Sequence, residues 1–276
     1  METIDLIVNG FHHQASLHRA MSNRVNKTIV YYHGGGFIFG SKDDLPSHAI
    51  DHFTKAGFDL LCMDYPKAPE MKLPQICDFI EMQLLWFLDN HHIMNLSNDY
   101  ILFGRSAGGY LALFLTKRMI EMNKKVPESV IVFYGYSTFE DAEFKKASDH
   151  YGRYPKMTFD DVKSAIEDIP LFVSDLRKRY PLYVYSRQKG NWLQLLGIND
   201  RTEEYTIDVE VSEFPKLFLA ASQFDYDVSY KQSLLLQRKS KSGQLFTSSM
   251  SEHAFDQKAS QESLDLYKKL IKWLKQ

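Results

Sequence analysis

The sequence predicts an α/β protein, with a mostly parallel sheet of about eight strands, helices on both faces and an inserted cap. Three observations carry this. Short apolar runs alternate with segments of helical spacing along most of the chain, the pattern that builds parallel sheets from strand–helix–strand units. A serine bracketed by glycines, Gly104-Arg105-Ser106-Ala107-Gly108, stands between one such run and one such segment. The alternation then breaks from Ser137 to Ser212, a stretch rich in charges and tyrosines with helix-like patches and no clear apolar strand. Because strand signals resume after it, that stretch reads as a cap of residues 137–212 inserted into a core of residues 1–136 and 213–276.

The elements follow in order. Residues 3–8 and 14–20 alternate as two antiparallel strands, and Asn9-Gly10 supplies the hairpin signal between them. Thr28 to Tyr32 is a β-branched and aromatic run, expected to be a buried strand, and it leads into His33-Gly34-Gly35-Gly36-Phe37. A helix is expected from Pro46 to Ala56, a strand from Phe58 to Asp64, and a helix from about Gln75 to His91. Tyr100 to Arg105 is the strand before the serine, and its helix should reach about Asn123. Further strands are expected at 129–134, 215–221 and 244–249, with a helix near Asp227 to Ser240. Residues 257–275 close the chain as an amphipathic helix, with Leu264, Tyr267, Leu270, Ile271 and Leu274 at helical spacing.

Composition bounds the functional classes. The 276 residues are 44% hydrophobic and 25% charged, ordinary values for a chain that buries a sizeable core. A formal net charge of −2 gives no global reason for a nucleic-acid or anionic-membrane partner. Two cysteines, Cys62 and Cys77, read as reduced buried thiols rather than a disulfide. The N-terminal residues carry acids where a signal peptide needs a basic region, and no apolar stretch is long enough to span a bilayer. The expectation is therefore a cytoplasmic protein. The oligomeric state stays open, a homodimer included.

Four stretches carry chemistry. Gly104 and Gly108 flank Ser106 at minus two and plus two, where side chains would collide as a strained strand-to-helix turn crosses itself. The bare pattern is weak, since roughly one chain in ten of this length holds it by chance; the flanking strand and helix strengthen it. The triple glycine after His33 frees backbone amides to converge on one point, and no phosphate-binding lysine or dinucleotide fingerprint accompanies it. An oxyanion hole built from the amides of Gly35, Gly36 and Ala107 fits better. Just past a strand, Asp225 and Asp227 are candidates to orient a histidine. Asp225 is nearer the strand end, which leaves Asp227 as the acid of the next helix's N-terminus. Of ten histidines, His253 lies in a loop after the last strand, completing the order Ser106, Asp225, His253. His33 is expected to pack beside the glycine loop.

Taken together, these stretches resemble the α/β-hydrolase superfamily and, within it, the hormone-sensitive-lipase-like carboxylesterases. His33-Gly34-Gly35-Gly36 matches that family's oxyanion motif, and Gly104-Arg105-Ser106-Ala107-Gly108-Gly109 matches its elbow in all but one position. Asp64-Tyr65-Pro66-Lys67-Ala68-Pro69-Glu70 is similar to a further family segment. The resemblance covers about 28–134 and 214–276. It implies a serine hydrolase that cleaves small-molecule carboxylic esters through an acyl-enzyme, with no metal or organic cofactor; because nothing in the sequence suggests an interfacial lid, short acyl chains are expected. A peptidase or acyl-peptide hydrolase on the same fold, and a ligand-binding homologue without turnover, are the alternatives. The sequence departs from the family at Arg105, where an acid is usual, and at Tyr226, where a proline is usual. Arg105 has two readings: a salt bridge behind the elbow, or a charge that selects anionic substrates. The aromatic residues of the cap, Trp192 among them, either line an apolar pocket or form the cap's own core.

Overall fold

The structure, a computed structural model, describes residues 1–210 and 213–276. Its eight-stranded sheet has the order β1-β2-β4-β3-β5-β6-β7-β8. β1 (Glu2–Val8) and β2 (Phe11–His18) form the expected hairpin, and β2 continues antiparallel to β4 (Asp59–Met63). Asn9 and Gly10 have φ of 50° and 78°, the left-handed pair that a tight two-residue hairpin turn demands. β3 (Thr28–Tyr32), β4, β5 (Tyr100–Arg105), β6 (Ser129–Phe133), β7 (Lys216–Ser222) and β8 (Gly243–Ser248) run parallel.

Alternate residues of the parallel strands face opposite ways, because successive Cβ atoms of a strand do. Val30, Leu61, Leu102, Val130 and Leu217 join one core cluster with α2 (Leu73–Asn90) and α3 (Ala107–Glu121). Ile29, Leu60, Ile101, Ile131 and Phe218 join the other with α1 (Ser47–Lys55) and α9 (Gln261–Leu274). A strand buried on both faces reads as a continuous apolar run, which is why these strands stood out in the sequence.

Between β6 and β7 the described residues contain helices and no strand: α4 (Ala142–Lys145), α5 (Phe159–Val162), α6 (Leu176–Lys189), α7 (Trp192–Leu195) and single 3-10 turns. The expected end of this segment at Ser212 lies outside the described residues. Apolar side chains of the segment, including Phe139, Phe144, Leu182 and Trp192, belong to the same cluster as the sheet residues. Among the described residues, no helix is long and apolar enough to cross a membrane.

Chain order fixes where a site can form. From β3 the chain moves outward to β4 and then returns to place β5 on the other side of β3. In open α/β sheets a crevice opens at the carboxyl ends of strands where the winding reverses. The two loops at that point are the glycine loop after β3 and the turn at Ser106 after β5.

Candidate active site

Ser106 lies between the last residue of β5 and the first of α3, with φ 54° and ψ −119°. A non-glycine residue there is strained, and the flanking glycines make the strain possible. A Cβ at Gly104 would stand 1.9 Å from the Gly108 carbonyl oxygen, and one at Gly108 would stand 2.0 Å from that of Tyr32. No residue but glycine fits at either position.

The Ser106 Oγ lies 2.9 Å from Nε2 of His253, and Nδ1 of His253 lies 2.6 Å from Oδ2 of Asp225. An ionised carboxylate accepts only, so Nδ1–H donates to Asp225, and Nε2 is left to accept from the serine hydroxyl. The other oxygen of Asp225 accepts the amides of Asp227 and Val228 at 2.8 and 2.9 Å, which locks the carboxylate in place. Burial alone would lower the imidazole pKa. The charge and hydrogen bond of Asp225, helped by Asp227, outweigh it and hold His253 above its ordinary value.

Asp227 does not serve the next helix, contrary to expectation. That helix, α8 (Tyr230–Lys239), starts three residues later, and Ser229 caps it by accepting the Lys231 amide. Asp227 turns instead toward the segment between β6 and β7. Its carboxylate accepts the hydroxyls of Tyr183 at 2.8 and 2.9 Å and Tyr151 at 3.1 Å, and pairs with Arg187 at 3.5 Å. These partners offset more desolvation than a half-exposed helix end could require.

The glycine loop turns back on itself with φ of 97° at Gly35 and 58° at Gly36. A Cβ at Gly36 would stand 2.4 Å from the Tyr183 ring. Among the described residues, the amides of Gly35, Gly36 and Ala107 donate to no protein acceptor, although each unmade buried donor costs stability. His33 is wholly buried under the loop, stacked on Tyr65 at 4.2 Å, with Nδ1 bound to the Gly34 carbonyl at 2.7 Å. Burial, then the neighbouring Lys67, push its pKa down against the opposing pull of Asp64. Lys67 is itself buried, donating to the Tyr65 and Phe172 carbonyls at 2.6 and 3.0 Å. Burial outweighs the nearby Asp64 and pushes its pKa down to about 8.

Arg105 makes the salt bridge. Its guanidinium contacts Asp256 at 3.0 Å, the Tyr134 hydroxyl at 2.5 Å and Gln257 at 2.7 Å. Asp256 also accepts from Tyr134 and Tyr267, each at 2.6 Å. A cation so matched leaves little charge to select an anion. The Tyr134 ring packs against the His253 imidazole with centroids 4.7 Å apart. A cavity of about 680 Å³ opens over Ser106 and His253, and Gly35, Gly36, Phe39, Tyr134, Leu176 and Tyr183 are among the residues that line it. Trp192 is not among them. It packs with Phe37, Tyr136, Phe139 and Phe144 in the core, and its indole donates to the Gly36 carbonyl at 3.0 Å.

The chain is similar to known proteins in sequence and in fold. The family model for the alpha/beta hydrolase fold matches residues 29–226. Hormone-sensitive lipase of Mus musculus is 24% identical over 131 residues, 47% of this chain and 16% of that protein. A solved alpha/beta hydrolase superfamily protein from Enterococcus faecalis is 27% identical and superposes with a TM-score of 0.86, covering 99% of this chain and 98% of that one. The hyperthermophilic esterase from Pyrobaculum calidifontis, 17% identical, shares the fold with a TM-score of 0.69 over 99% of this chain and 84% of its own. The chain spans between 6% and 34% of the lengths of the curated relatives it matches. It belongs to the alpha/beta hydrolase fold family, and hormone-sensitive lipases and an arylacetamide deacetylase are among the proteins it is similar to.

Proposed function

We propose that this protein is a serine carboxylesterase that hydrolyses small-molecule esters of short acyl chain, with Ser106 as nucleophile, His253 as general base and Asp225 as its orienting acid. The observation that carries the reading is the unbroken chain of contacts Ser106–His253–Asp225, at 2.9 and 2.6 Å, beside a glycine loop whose Gly35 and Gly36 amides donate to no acceptor among the described residues.

His253 Nε2 takes the serine proton as Oγ bonds to the ester carbonyl carbon. The electron pair displaced from that carbonyl settles on its oxygen, where the amides of Gly35, Gly36 and Ala107 donate to it. The C–O bond to the alcohol then breaks, and the imidazolium returns the proton to the departing oxygen. Water, deprotonated by the same imidazole, repeats the addition on the acyl-enzyme and releases the acid with Ser106 restored. Residues 137–212 act as the cap over this site, contributing Leu176 and Tyr183 to the cavity wall. A cavity of about 680 Å³ suits a small ligand rather than a lipid bound along its whole length.

A fluorophosphonate probe and a panel of p-nitrophenyl esters from two to twelve acyl carbons, with peptide amides beside them, test this. Labelling is expected at Ser106 and should vanish in Ser106→Ala together with at least a thousandfold of the rate. Turnover should peak at two to six carbons. Undiminished hydrolysis by Ser106→Ala, or peptide amides cleaved faster than any ester, would overturn the reading.

A further inference from the structure

We infer that Trp192 is a positioning residue for the oxyanion loop: from outside the loop, its indole N–H holds the Gly36 carbonyl and thereby fixes the Gly36–Phe37 peptide, which adjoins the peptide that carries the Gly36 donor amide. The inference rests on the ester-hydrolase reading and deepens it.

The loop needs such a restraint. Three successive residues have positive φ: Gly35 at 97°, Gly36 at 58° and Phe37 at 64°. The Ile38 and Phe39 amides tie the Gly35 carbonyl from within the loop, each at 3.0 Å, and the Gly36 carbonyl is held from outside it. Glycine visits the positive-φ region freely. A bulky residue such as Phe37 pays for it, and a conformation of this kind persists only where its surroundings over-determine it. Four contacts do so here. The Trp192 indole donates to the Gly36 carbonyl at 3.0 Å, Arg179 Nε to the Ile38 carbonyl at 2.9 Å, and the Ala68 amide to the Phe37 carbonyl at 2.8 Å. The Tyr183 ring closes over Gly36 itself.

Three of these four come from α6 and α7, and Trp192 is the one of the four whose hydrogen bond falls on a donor glycine. Its ring is buried and lies nearly parallel to Phe37, 6.5 Å away at 17°. Rotation of the Gly36–Phe37 peptide would break the indole bond and strand a buried N–H, which is costly. The helices between β6 and β7 therefore do more than cover the cavity: they hold the oxyanion-binding backbone in shape.

Trp192→Phe keeps the aromatic packing and removes the N–H. In the full chain it should lower kcat on p-nitrophenyl butyrate about tenfold or more with KM nearly unchanged. The affinity of a boronic acid should fall by a similar factor, because that adduct needs the oxyanion donors and ground-state substrate does not. In the wild-type protein, the ¹⁵N-indole proton of Trp192 should shift when the boronic acid adds to Ser106, a readout that needs no variant. A variant with wild-type kcat, or a resonance that ignores the adduct, would overturn the inference. Loss of activity in Ser106→Ala alongside either result would leave the ester-hydrolase reading intact, so the two failures are distinguishable.

Discussion

In the proposed mechanism His253 must be neutral to take a proton from Ser106, and the Asp225 carboxylate beside it works against neutrality. Burial favours the neutral ring, yet the Asp225 carboxylate at 2.6 Å holds the pKa above its ordinary value. If His253 is the base, ester turnover should be lost as pH falls through that pKa, so the acid limb of kcat/KM should have its midpoint above the usual histidine value of about 6.5. Asp225→Asn should cost about ten-thousandfold in kcat, because the amide cannot hold the required tautomer. Asp227→Asn should keep most of the activity and move the acid limb slightly downward, since Asp227 also raises the His253 pKa. Parallel pH–rate profiles of the two variants check this; equal losses would mean that the acid has been assigned to the wrong residue.

At the scale of elements, α6 is tied to the loop before α2 by one buried ion pair. Arg179 spans Glu70 with contacts of 2.6 and 2.9 Å, both side chains almost wholly buried, and it also donates to the carbonyls of Ala68, Ala165 and Ile38. Two carboxylate oxygens meet two guanidinium nitrogens there, the geometry that gives such pairs their specificity. Removing one partner of a buried pair leaves the other charge uncompensated, at a cost of about 3–5 kcal/mol. Glu70→Gln should therefore lower the free energy of unfolding in urea by that amount. A loss under about 1 kcal/mol would show that the pair contributes no more than a surface one. Because Arg179 also holds Ile38, the same variant should slow ester turnover.

At the scale of the whole molecule, the described residues of the segment between β6 and β7 share their core with the sheet. Phe139, Phe144, Leu182, Trp192 and Leu196 lie in one cluster with the sheet residues Val30, Leu61 and Leu102. Asp227, from the loop after β7, reaches into the segment to bind Tyr151 and Tyr183. Elements that share one buried cluster gain their stability together and lose it together. Thermal unfolding should be one transition, coincident by far-UV circular dichroism and by tryptophan fluorescence from Trp86, Trp192 and Trp273. Two resolved transitions, with Trp192 changing first, would show that the segment unfolds on its own.

The strands were legible in the sequence because burial on both faces makes them continuous apolar runs, as Thr28–Tyr32 and Ser129–Phe133 show. The turn at Ser106 was legible because its backbone crossing admits only glycine at 104 and 108, and the cost of any side chain there is local. The order Ser106, Asp225, His253 followed from strand ends that the same patterning located. The sequence did not reveal what Arg105 binds, why Asp227 leaves its helix, or that Trp192 holds Gly36. Each depends on partners far along the chain: Asp256 for Arg105, Tyr151 and Tyr183 for Asp227, and a carbonyl 156 residues away for Trp192. Backbone conformation and face alternation are set by near neighbours and leave a periodic trace in the sequence. A buried polar side chain takes whichever partner the packed fold brings within about 3 Å, and only the tertiary structure decides that.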